Sequence, residues 1–570
     1  MSIRRGRLSG VLAPLFALRR EADLGIGDVA ALRELIDWAV EAGVGFIQLL
    51  PINETGPDHS PYNAISSVAM DPIYLDLSPG TVPELTAEDI EAALENQDVS
   101  ALRGPWVDYT AVRQVKNHLL ETAFARFWSR LRGGAGRADF ERFRRDEALW
   151  LEDYAVFRWL MERANDSPAW DGWPAEFNTA DAARRFRQAQ TGVDRVAAER
   201  AITYRAWLQW LTFTQWRRLR AYARQRGVAL MGDMPIGVSY YSADVFMRPE
   251  LFQLDWSGGS PAETAYRDDP FVCKWGQNWG IPLFDWAAME RDGHAWWRQR
   301  VKKLVEVFEI FRVDHVLGFY RLYGFPWRPE RNAEFLPLSP VEAVIRTGGR
   351  LPRFHPHDDD TPEHRALNRE HGDRLLTMLQ QAVEGAAIVG EDLGVVPDYV
   401  RPNLLDHAIP GFKIPQWEEG ENGAGPRGAD FPECSLATYA THDLPPLRTI
   451  WKTLRAESAG GGDSPSERGR IEFERLVCFA ELEFGAAAPP YSDSLKWKLL
   501  SALFRSRSRL AAVQITDLFG LDDRFNTPGT SGGENWRVRL PWSVRQLQED
   551  PILRREARRF HFLARQTNRA

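Results

Sequence analysis

The stretch Val305-Glu306-Val307-Phe308-Glu309-Ile310-Phe311-Arg312-Val313-Asp314-His315 is a short apolar, strand-like run that ends in an arginine, an aspartate and a histidine. Residues i and i+2 of a strand point to the same face, so Arg312 and Asp314 are expected to enter one pocket. A parallel strand ends at the carboxyl edge of its sheet, and in a (β/α)8 barrel that edge carries the chemistry. The stretch therefore predicts a barrel strand with a functional end.

Two further acidic motifs follow strand-like runs in the same way. Ala386–Val389 precedes Glu391 and Asp392, and Leu436–Tyr439 precedes the pair His442-Asp443. A single Asp or Glu after a strand is usually a helix N-cap or a solvated loop residue. Three such motifs can instead gather three carboxylates at one edge. There one attacks a glycosidic bond, one gives and takes a proton, and one steadies a sugar cation.

Composition excludes several classes of protein. The chain has 570 residues, enough for one large barrel or several domains, and its hydrophobic fraction of 44% is ordinary for a globular protein. A net charge of −8 argues against nucleic acid as a partner. No apolar run reaches transmembrane length, so we expect no membrane partner. Three cysteines are too few for a disulfide framework or a metal cluster and fit a cytoplasmic location.

Strand-like and helix-like segments alternate along most of the chain, which predicts an α/β fold with a parallel sheet. We interpret residues 1–570 as a single catalytic (β/α)8 TIM barrel unit with mainly helical insertions. Residues 85–200 are rich in Ala, Glu, Arg and Trp at helical spacing and predict a helical insertion subdomain. Residues 240–295 are interpreted as a loop-rich insertion that covers the substrate.

A glycine pattern near the N-terminus has two interpretations. Gly25-x-Gly27-x-x-Ala30 resembles a dinucleotide fingerprint, but that fingerprint needs a strand directly before it. A charged segment, residues 19–23, comes first instead. We therefore favour a plain helix start, with Asp28 as the N-cap.

Three tryptophans differ from the many that are expected to pack helices. Trp275, Trp279 and Trp286 lie in a stretch punctuated by Gly and Pro, which predicts a loop rim. Aromatic faces stack on the apolar faces of sugar rings, and exposed aromatics on a loop suggest a ligand surface.

An ordered set of motifs spans nearly the whole chain and is least marked over residues 85–200. It consists of Gly10-Val11-Leu12, Leu24-Gly25-Ile26-Gly27-Asp28, Ser60-Pro61-Tyr62-Asn63, Gly232-Asp233-Met234-Pro235-Ile236, Gly276-Gln277-Asn278-Trp279-Gly280, the three acidic motifs, Asn526-Thr527-Pro528-Gly529-Thr530 and Asn535-Trp536. With this set the chain resembles the amylomaltase family of 4-α-glucanotransferases, or disproportionating enzymes, within the α-amylase clan.

The resemblance implies a transferase that moves α-1,4-glucan segments between maltooligosaccharides through a covalent glycosyl-enzyme. It implies no metal and no cofactor, and α-glucans as the substrates. By motif, the implied roles are nucleophile for Asp314, general acid/base for Glu391, third carboxylate for Asp443, orientation of the nucleophile for Arg312, hydrogen bonding to the sugar for Asp233 and His442, stacking for Tyr62, a loop over the glucan for Gln277 and Trp279, and further substrate contacts for His315 and Asn526.

The charges agree with these roles. Arg312 should keep Asp314 ionised, because an opposite charge lowers the pKa of a carboxyl group. Glu391 must carry a proton for the leaving oxygen and therefore needs a raised pKa. Asp392 competes with Glu391 for the acid role, but adjacent strand residues point to opposite faces, so only one of them should enter the pocket.

Three segments depart from the pattern that the resemblance implies, and the first is Pro261–Lys274, which precedes the Gln-Asn-Trp motif. Leu444-Pro445-Pro446 follows the His-Asp pair, where the family usually has polar residues. Gln416-Trp417-Glu418-Glu419-Gly420 is more polar than the usual family sequence. All three segments are expected near acceptor or remote donor sugars, so they bear on chain-length preference and transfer efficiency.

Other functions remain open at this point. An α-glucan hydrolase would use the same residues, with water in place of the acceptor. A catalytically silent glucan-binding protein has no need of all three carboxylates, whose presence speaks against it. A nucleotide-dependent oxidoreductase rests on Gly25 and Gly27 alone and would retain its cofactor.

Overall fold

Parallel strands form the central sheet of the computed structural model, which describes residues 6–132, 137–263, 269–420, 425–460, 467–484, 488–530 and 533–570. The strands are β1 (Leu8–Leu12), β2 (Phe46–Gln48), β3 (Ala229–Met234), β4 (Phe252–Ser260), β5 (Gln277–Phe284), β6 (Ile310–Val313), β7 (Leu322–Phe325), β8 (Arg353–His355), β9 (Ala387–Gly390), β10 (Gly411–Lys413), β11 (Ser435–Ala437) and β12 (Leu510–Gln514).

The central sheet is eight-stranded, in the order β10-β11-β12-β1-β2-β3-β6-β9. Its neighbouring strands are parallel. The Gly390 amide donates to the Pro410 carbonyl at 2.9 Å, which joins β9 to the chain entering β10. The sheet thereby closes into a barrel, and the predicted (β/α)8 fold with mainly helical insertions is confirmed.

Helices surround the barrel and fill the long connections between strands. They are α1 (Val29–Ala42), α2 (Ala87–Leu94), α3 (Val99–Leu102), α4 (Tyr109–Arg132), α5 (Arg137–Asp146), α6 (Ala148–Arg163), α7 (Ala180–Gln188), α8 (Gly192–Arg226), α9 (Ala243–Met247), α10 (Pro270–Lys274), α11 (Trp286–Arg291), α12 (Ala295–Val305), α13 (Asn332–Phe335), α14 (Pro340–Arg346), α15 (Pro362–Ala382), α16 (Val400–Asp406), α17 (Leu447–Ser458), α18 (Glu467–Phe479), α19 (Asp493–Arg505), α20 (Ile515–Phe519), α21 (Val544–Glu549) and α22 (Pro551–Gln566).

The barrel interior is packed by apolar side chains from all eight strands. The interior cluster contains Leu8, Phe46, Ala229, Met231, Ile310, Val389, Phe412, Leu436, Leu510 and Ala512. Strand side chains alternate in direction, so the residues two positions after Met231, Ile310 and Val389 also point inward. Those positions carry polar side chains, and a polar layer therefore lies over the apolar core at the carboxyl ends of the strands.

The segment around Gly25 and Gly27 is a helix start, as the sequence predicted. The Asp28 side chain accepts a hydrogen bond from the Ala31 amide, and helix α1 ends at Gly43 in the left-handed conformation. A Cβ atom at Gly27 would lie 2.0 Å from the Leu15 carbonyl oxygen, so this glycine permits close packing of the backbone. Within the described residues no strand directly precedes the pattern, as a dinucleotide site would require.

A second, antiparallel sheet lies beside the barrel, with the order β5-β4-β7-β8. Strands β4 and β5 come from residues 240–295, the range interpreted as loop-rich, so much of that range is regular structure. In residues 85–200 helices predominate, and α6 packs along α8. Helix α8 runs from Gly192 to Arg226 and is capped by Gly227 in the left-handed conformation.

Arg569 locks the amino-terminal end of the barrel. Its fully buried guanidinium donates to carbonyls where β1 begins, where β12 begins and where α19 ends. The acceptors are the carbonyl oxygens of Leu8 at 3.3 Å, Phe504 at 2.8 Å, Ser506 at 3.0 Å, Ser508 at 2.7 Å and Arg509 at 3.1 Å. Burial lowers the pKa of Arg569 to about 9, yet the carbonyls at the carboxyl end of α19 favour its positive charge.

We predict that Arg569→Met lowers the free energy of unfolding by about 3 kcal/mol or more, because it leaves several buried carbonyls without a donor. Thermal or denaturant unfolding of the purified variant measures this. Arg558→Met, at an exposed position on the preceding helix α22, should change stability by less than about 0.5 kcal/mol. Equal stabilities of the two variants would contradict the locking role.

Candidate active site

A cleft of about 2010 Å³ opens at the carboxyl ends of the barrel strands. Most of the side chains predicted for the site line it, and the other two, Asp233 and His442, lie buried directly beneath. The predicted residues that line the cleft are Tyr62, Gln277, Trp279, Arg312, Asp314, His315, Glu391, Asp443 and Asn526.

Arg312 is the cation at the floor of this cleft and is only 3% exposed. Its Nη1 donates to both carboxylate oxygens of Asp233, at 2.9 and 2.8 Å, and its Nη2 lies 2.7 Å from Asp314 Oδ1. Burial acts to lower the pKa of Arg312, but Asp233 and Asp314 outweigh it and raise that pKa. The pocket expected for Arg312 and Asp314 is therefore present, and a permanent positive charge orients the Asp314 carboxylate.

Glu391 follows β9, the neighbour of β6. Its Oε2 accepts a hydrogen bond from the His315 amide at 2.7 Å, and its Oε1 accepts one from the Leu393 amide at 3.0 Å. Burial raises the pKa of Glu391 to about 7, with Asp314 adding to the rise and Arg312 opposing it. A carboxyl group with this pKa can both deliver and remove a proton near neutral pH.

Asp314 and Glu391 both approach the same nitrogen of the Arg312 guanidinium. Arg312 Nη2 is 2.7 Å from Asp314 Oδ1 and 3.8 Å from Glu391 Oε2. These two oxygens are therefore no more than about 6.5 Å apart, the sum of the two distances. Carboxyl groups about 5–5.5 Å apart suit retention at the anomeric carbon, and a spacing of roughly 6.5–9.5 Å suits inversion. The geometry favours retention.

Asp392, the other carboxylate of this motif, is turned away from the cleft. Its Oδ1 accepts from the Phe412 amide at 2.6 Å, and its Oδ2 accepts from Arg401 Nε at 3.0 Å. It thus fastens β9 to β10 and α16. The expectation that only one of the two adjacent carboxylates enters the pocket is confirmed, and that one is Glu391.

Tyr62 covers the opposite side of the floor. Its hydroxyl donates to Asp233 Oδ2 at 2.7 Å, and its ring stacks on His442 with centroids 5.1 Å apart and planes within 8°. The Trp536 ring lies 5.8 Å from both of these rings. Three rings thus form an aromatic corner beside the buried carboxylate.

Asp443 is held from its backbone and from its side chain. Asn526 Nδ2 donates to Asp443 Oδ1 at 2.6 Å, and Arg524 donates to the Asp443 carbonyl. His442 Nε2 lies 3.2 Å from the same Oδ1. The segment that follows β12 therefore fixes the third carboxylate.

The outer wall of the cleft comes from β5 and from the segment after β6. Trp279 is 37% exposed, and its Nε1 donates to Gln277 Oε1 at 3.1 Å. The Trp279 ring meets His315 edge-on at 4.9 Å. Burial lowers the pKa of His315 to about 4, so this imidazole is neutral at pH 7.

The prediction that three tryptophans lie on a loop rim is wrong for two of them. Trp275 is buried against Trp327, and its Nε1 donates to the Phe335 carbonyl at 3.0 Å. Trp286 begins α11 and stacks on Trp297. The intervening residues form β5 because their glycines adopt positive φ within or beside a strand instead of ending it. Of the three, only Trp279 remains as an exposed ring at the cleft.

Sequence reasoning assigned no role to two residues that contact the site. Trp536 belongs to the motif Asn535-Trp536, and its place in that motif could have identified it as a residue of the site. Arg524 lies two residues before Asn526, but nothing in the pattern separates it from the other arginines of the chain.

The described residues contain neither a cluster of metal ligands nor a membrane-spanning helix. No group of three or more His, Cys, Asp or Glu side chains there has an arrangement that could hold a metal ion. No helix in that part of the chain is both long and apolar enough to cross a membrane.

Comparison with known proteins places the chain in a family. A family model for glycoside hydrolase family 77, described as 4-alpha-glucanotransferase, matches residues 13–545. The 4-alpha-glucanotransferase of Chlamydia pneumoniae is 29% identical over 554 residues, which cover 94% of this chain and 92% of that protein. The 4-alpha-glucanotransferase of Aquifex aeolicus is 28% identical over 549 residues, 95% of this chain and 97% of its own length.

Solved structures show the same fold. The amylomaltase from Corynebacterium glutamicum superposes with a TM-score of 0.75 at 21% identity, over 100% of this chain and 76% of that one. The amylomaltase from Streptococcus agalactiae in complex with acarbose gives a TM-score of 0.72 at 23% identity, over 99% and 100% of the two chains. The family model covers far more than half of the sequence and agrees with the motifs. This chain therefore belongs to glycoside hydrolase family 77, the 4-alpha-glucanotransferases.

Proposed function

We propose that the chain transfers α-1,4-glucan segments between maltooligosaccharides by a retaining double displacement on Asp314 and Glu391. The observation that carries the proposal is the pair of carboxyl groups bridged by Arg312, of which Glu391 has a pKa raised to about 7. Family membership supplies the substrate class and the reaction.

In the first step an Asp314 carboxylate oxygen attacks the anomeric carbon of the donor. The bond from that carbon to the glycosidic oxygen breaks, and Glu391 gives its proton to the departing oxygen. Arg312 orients Asp314 for this attack because its Nη2 lies 2.7 Å from Oδ1. The products are a glycosyl ester on Asp314 and a shortened glucan.

In the second step the 4-hydroxyl of an acceptor glucan enters the place that the leaving segment vacated. The ionised Glu391 takes the hydroxyl proton while the oxygen attacks the anomeric carbon, and the bond to Asp314 breaks. Asp443, fixed by Asn526, hydrogen-bonds the distorted sugar in both steps. Tyr62 stacks on that sugar, and Asp233 and His442 bind its hydroxyls.

Segments outside the catalytic centre hold and cover the glucan in this proposal. Gln277, Trp279 and His315 hold the glucan on the outer wall. Residues 85–200 act as a helical insertion subdomain, and residues 240–295 cover the substrate. The cysteine content supports a cytoplasmic location, which fractionation of cells would test.

A hydrolase is the main alternative, because both enzymes share one glycosyl-enzyme. The partition depends on whether a sugar or water reaches that intermediate first. The aromatic corner of Tyr62, His442 and Trp536 and the exposed Trp279 give the cleft sugar-binding surfaces, which favour an acceptor over water.

With pure maltotriose as the substrate, we predict glucose or maltose together with chains longer than maltotriose. The number of reducing ends should stay nearly constant, since every bond broken is replaced by one made. Mass spectrometry and a reducing-end assay measure the two quantities. A steady rise in reducing ends without longer chains would instead identify a hydrolase, and no turnover at all would favour a silent binding protein.

Asp314→Asn should reduce the transfer rate by about a thousandfold or more, because the amide is a poor nucleophile of the same size. Glucan binding, measured by calorimetry, should persist. Asp255→Asn, at an exposed aspartate of β4, serves as the control and should keep its activity. Substantial transfer by a folded Asp314 variant would mean that another residue is the nucleophile.

The pH profile should report Glu391. Its acid form is the active one in the first step, so kcat/KM for maltotriose should fall as the pH rises above about 7. First-turnover fluoride release from maltosyl fluoride needs no proton and should lack this decline. Glu391→Gln should accordingly lose far more activity on maltotriose than on the fluoride, and equal losses on both donors would remove Glu391 from the acid role.

A further inference from the structure

The cleft has a branch that none of the predicted site residues explains. We call it the Arg321 branch. It runs between the segment after β6, the strand β8 and the segment after β9. Its lining residues are Leu317, Tyr320, Arg321, Phe354, Pro397 and Val400.

Arg321 is the polar group of this branch and is only 8% exposed. Its Nε lies 2.7 Å from Asp359 Oδ2, and its guanidinium carbon lies 3.5 Å from the centroid of the Phe354 ring. The Tyr399 hydroxyl donates to Asp359 Oδ1 at 3.0 Å and so holds the carboxylate in turn. The guanidinium is therefore fixed by an ion pair and by an aromatic face.

The donor capacity of Arg321 is incompletely used within the protein. Its Nε faces Asp359, whereas its Nη1 is buried and has no hydrogen-bond partner within the described residues. A buried donor left without an acceptor is unfavourable by about 1–3 kcal/mol, so such a group next to a ligand cleft suits a ligand acceptor. Because Asp359 already balances the charge, that ligand need not be an anion.

The branch lies on the same side of the site as Glu391. The amide of His315, at the start of one bounding segment, donates to Glu391 Oε2, and the amide of Leu393, in the other, donates to Oε1. A general acid stands next to the oxygen that leaves, so the sugar beyond that oxygen occupies this side. Asp233 and Tyr62 lie toward β3 and β2 instead.

We infer that Arg321 is a specificity-determining residue that donates to hydroxyl groups of the acceptor glucosyl unit, the unit that replaces the leaving segment. The inference rests on the proposed transferase function. The guanidinium is already oriented, and a donor that Asp359 does not occupy can serve a hydroxyl of an uncharged pyranose. Asp359, Tyr399 and Phe354 set its orientation.

The test separates the donor step from the acceptor step. Maltosyl fluoride loads Asp314 with loss of fluoride and places no sugar on the acceptor side, and glucose then serves as the acceptor. First-turnover fluoride release measures loading. The dependence of steady-state turnover on glucose gives the half-saturating acceptor concentration.

Arg321→Lys keeps the charge that faces Asp359 but removes the flat fork. We expect the half-saturating glucose concentration to rise at least tenfold, while the loading rate falls no more than about twofold. Wild-type enzyme should bind either 2-deoxyglucose or 3-deoxyglucose less well than glucose. In Arg321→Lys, removal of the hydroxyl that Arg321 binds should cause no further loss of affinity, so that deoxyglucose and glucose should bind equally.

Arg328→Lys is the matched control. Its guanidinium carbon lies 4.4 Å from the Tyr240 centroid, and its Nη1 pairs with Asp171 at 3.1 Å, so it shares the aromatic and acidic setting. It does not line the cleft, and this variant should keep wild-type values. If Arg321→Lys does not fold, Phe354→Leu, which removes the ring beneath the guanidinium, takes its place. It should raise the half-saturating glucose concentration by a smaller factor and leave the loading rate nearly unchanged.

The outcomes separate the inference from the function on which it rests. An unchanged acceptor concentration, or equal losses in loading and acceptor use, in an enzyme that still makes longer chains would overturn the role of Arg321. Fluoride release without any longer chains from the wild-type enzyme would overturn the transferase function instead.

Discussion

The site is organised around one buried positive charge that three carboxyl groups share. Arg312 holds Asp233 through two hydrogen bonds and Asp314 through one contact, and Glu391 stands farther away at 3.8 Å. One cation cannot balance three anions in a buried place, so the most weakly held carboxyl group is the one that most readily keeps a proton. The longer contact to Glu391 agrees with its pKa, which burial raises to about 7.

Much of this arrangement could be predicted because strand geometry is regular. The alternation of side chains puts Arg312 and Asp314 on one face and separates Glu391 from Asp392, and parallel strands bring their ends to one edge. The contacts that hold Asp443 could not be predicted in the same way. Asn526 and Arg524 lie more than 80 residues away, and only the closed barrel brings β12 next to β11.

The aromatic residues show where local pattern fails. Gly and Pro around Trp275 and Trp286 are typical of loops, yet glycines at positive φ also occur in bent strands. Only the packing partners Trp327 and Trp297 distinguish the two cases. Arg321 was missed for a similar reason. Its significance depends on Asp359 and Phe354, which belong to another segment and acquire meaning only through contact.

The position of β1 between β12 and β2 has a consequence for biosynthesis. Leu8 pairs with Leu510, and the Leu8 carbonyl also accepts from Arg569, so the first strand finds one neighbour only when the last part of the chain is available. During translation the nascent barrel must persist with an open seam and two unpaired edges. Contacts of such long sequence separation are slow to form, so closure of this seam is expected to be a late step in folding.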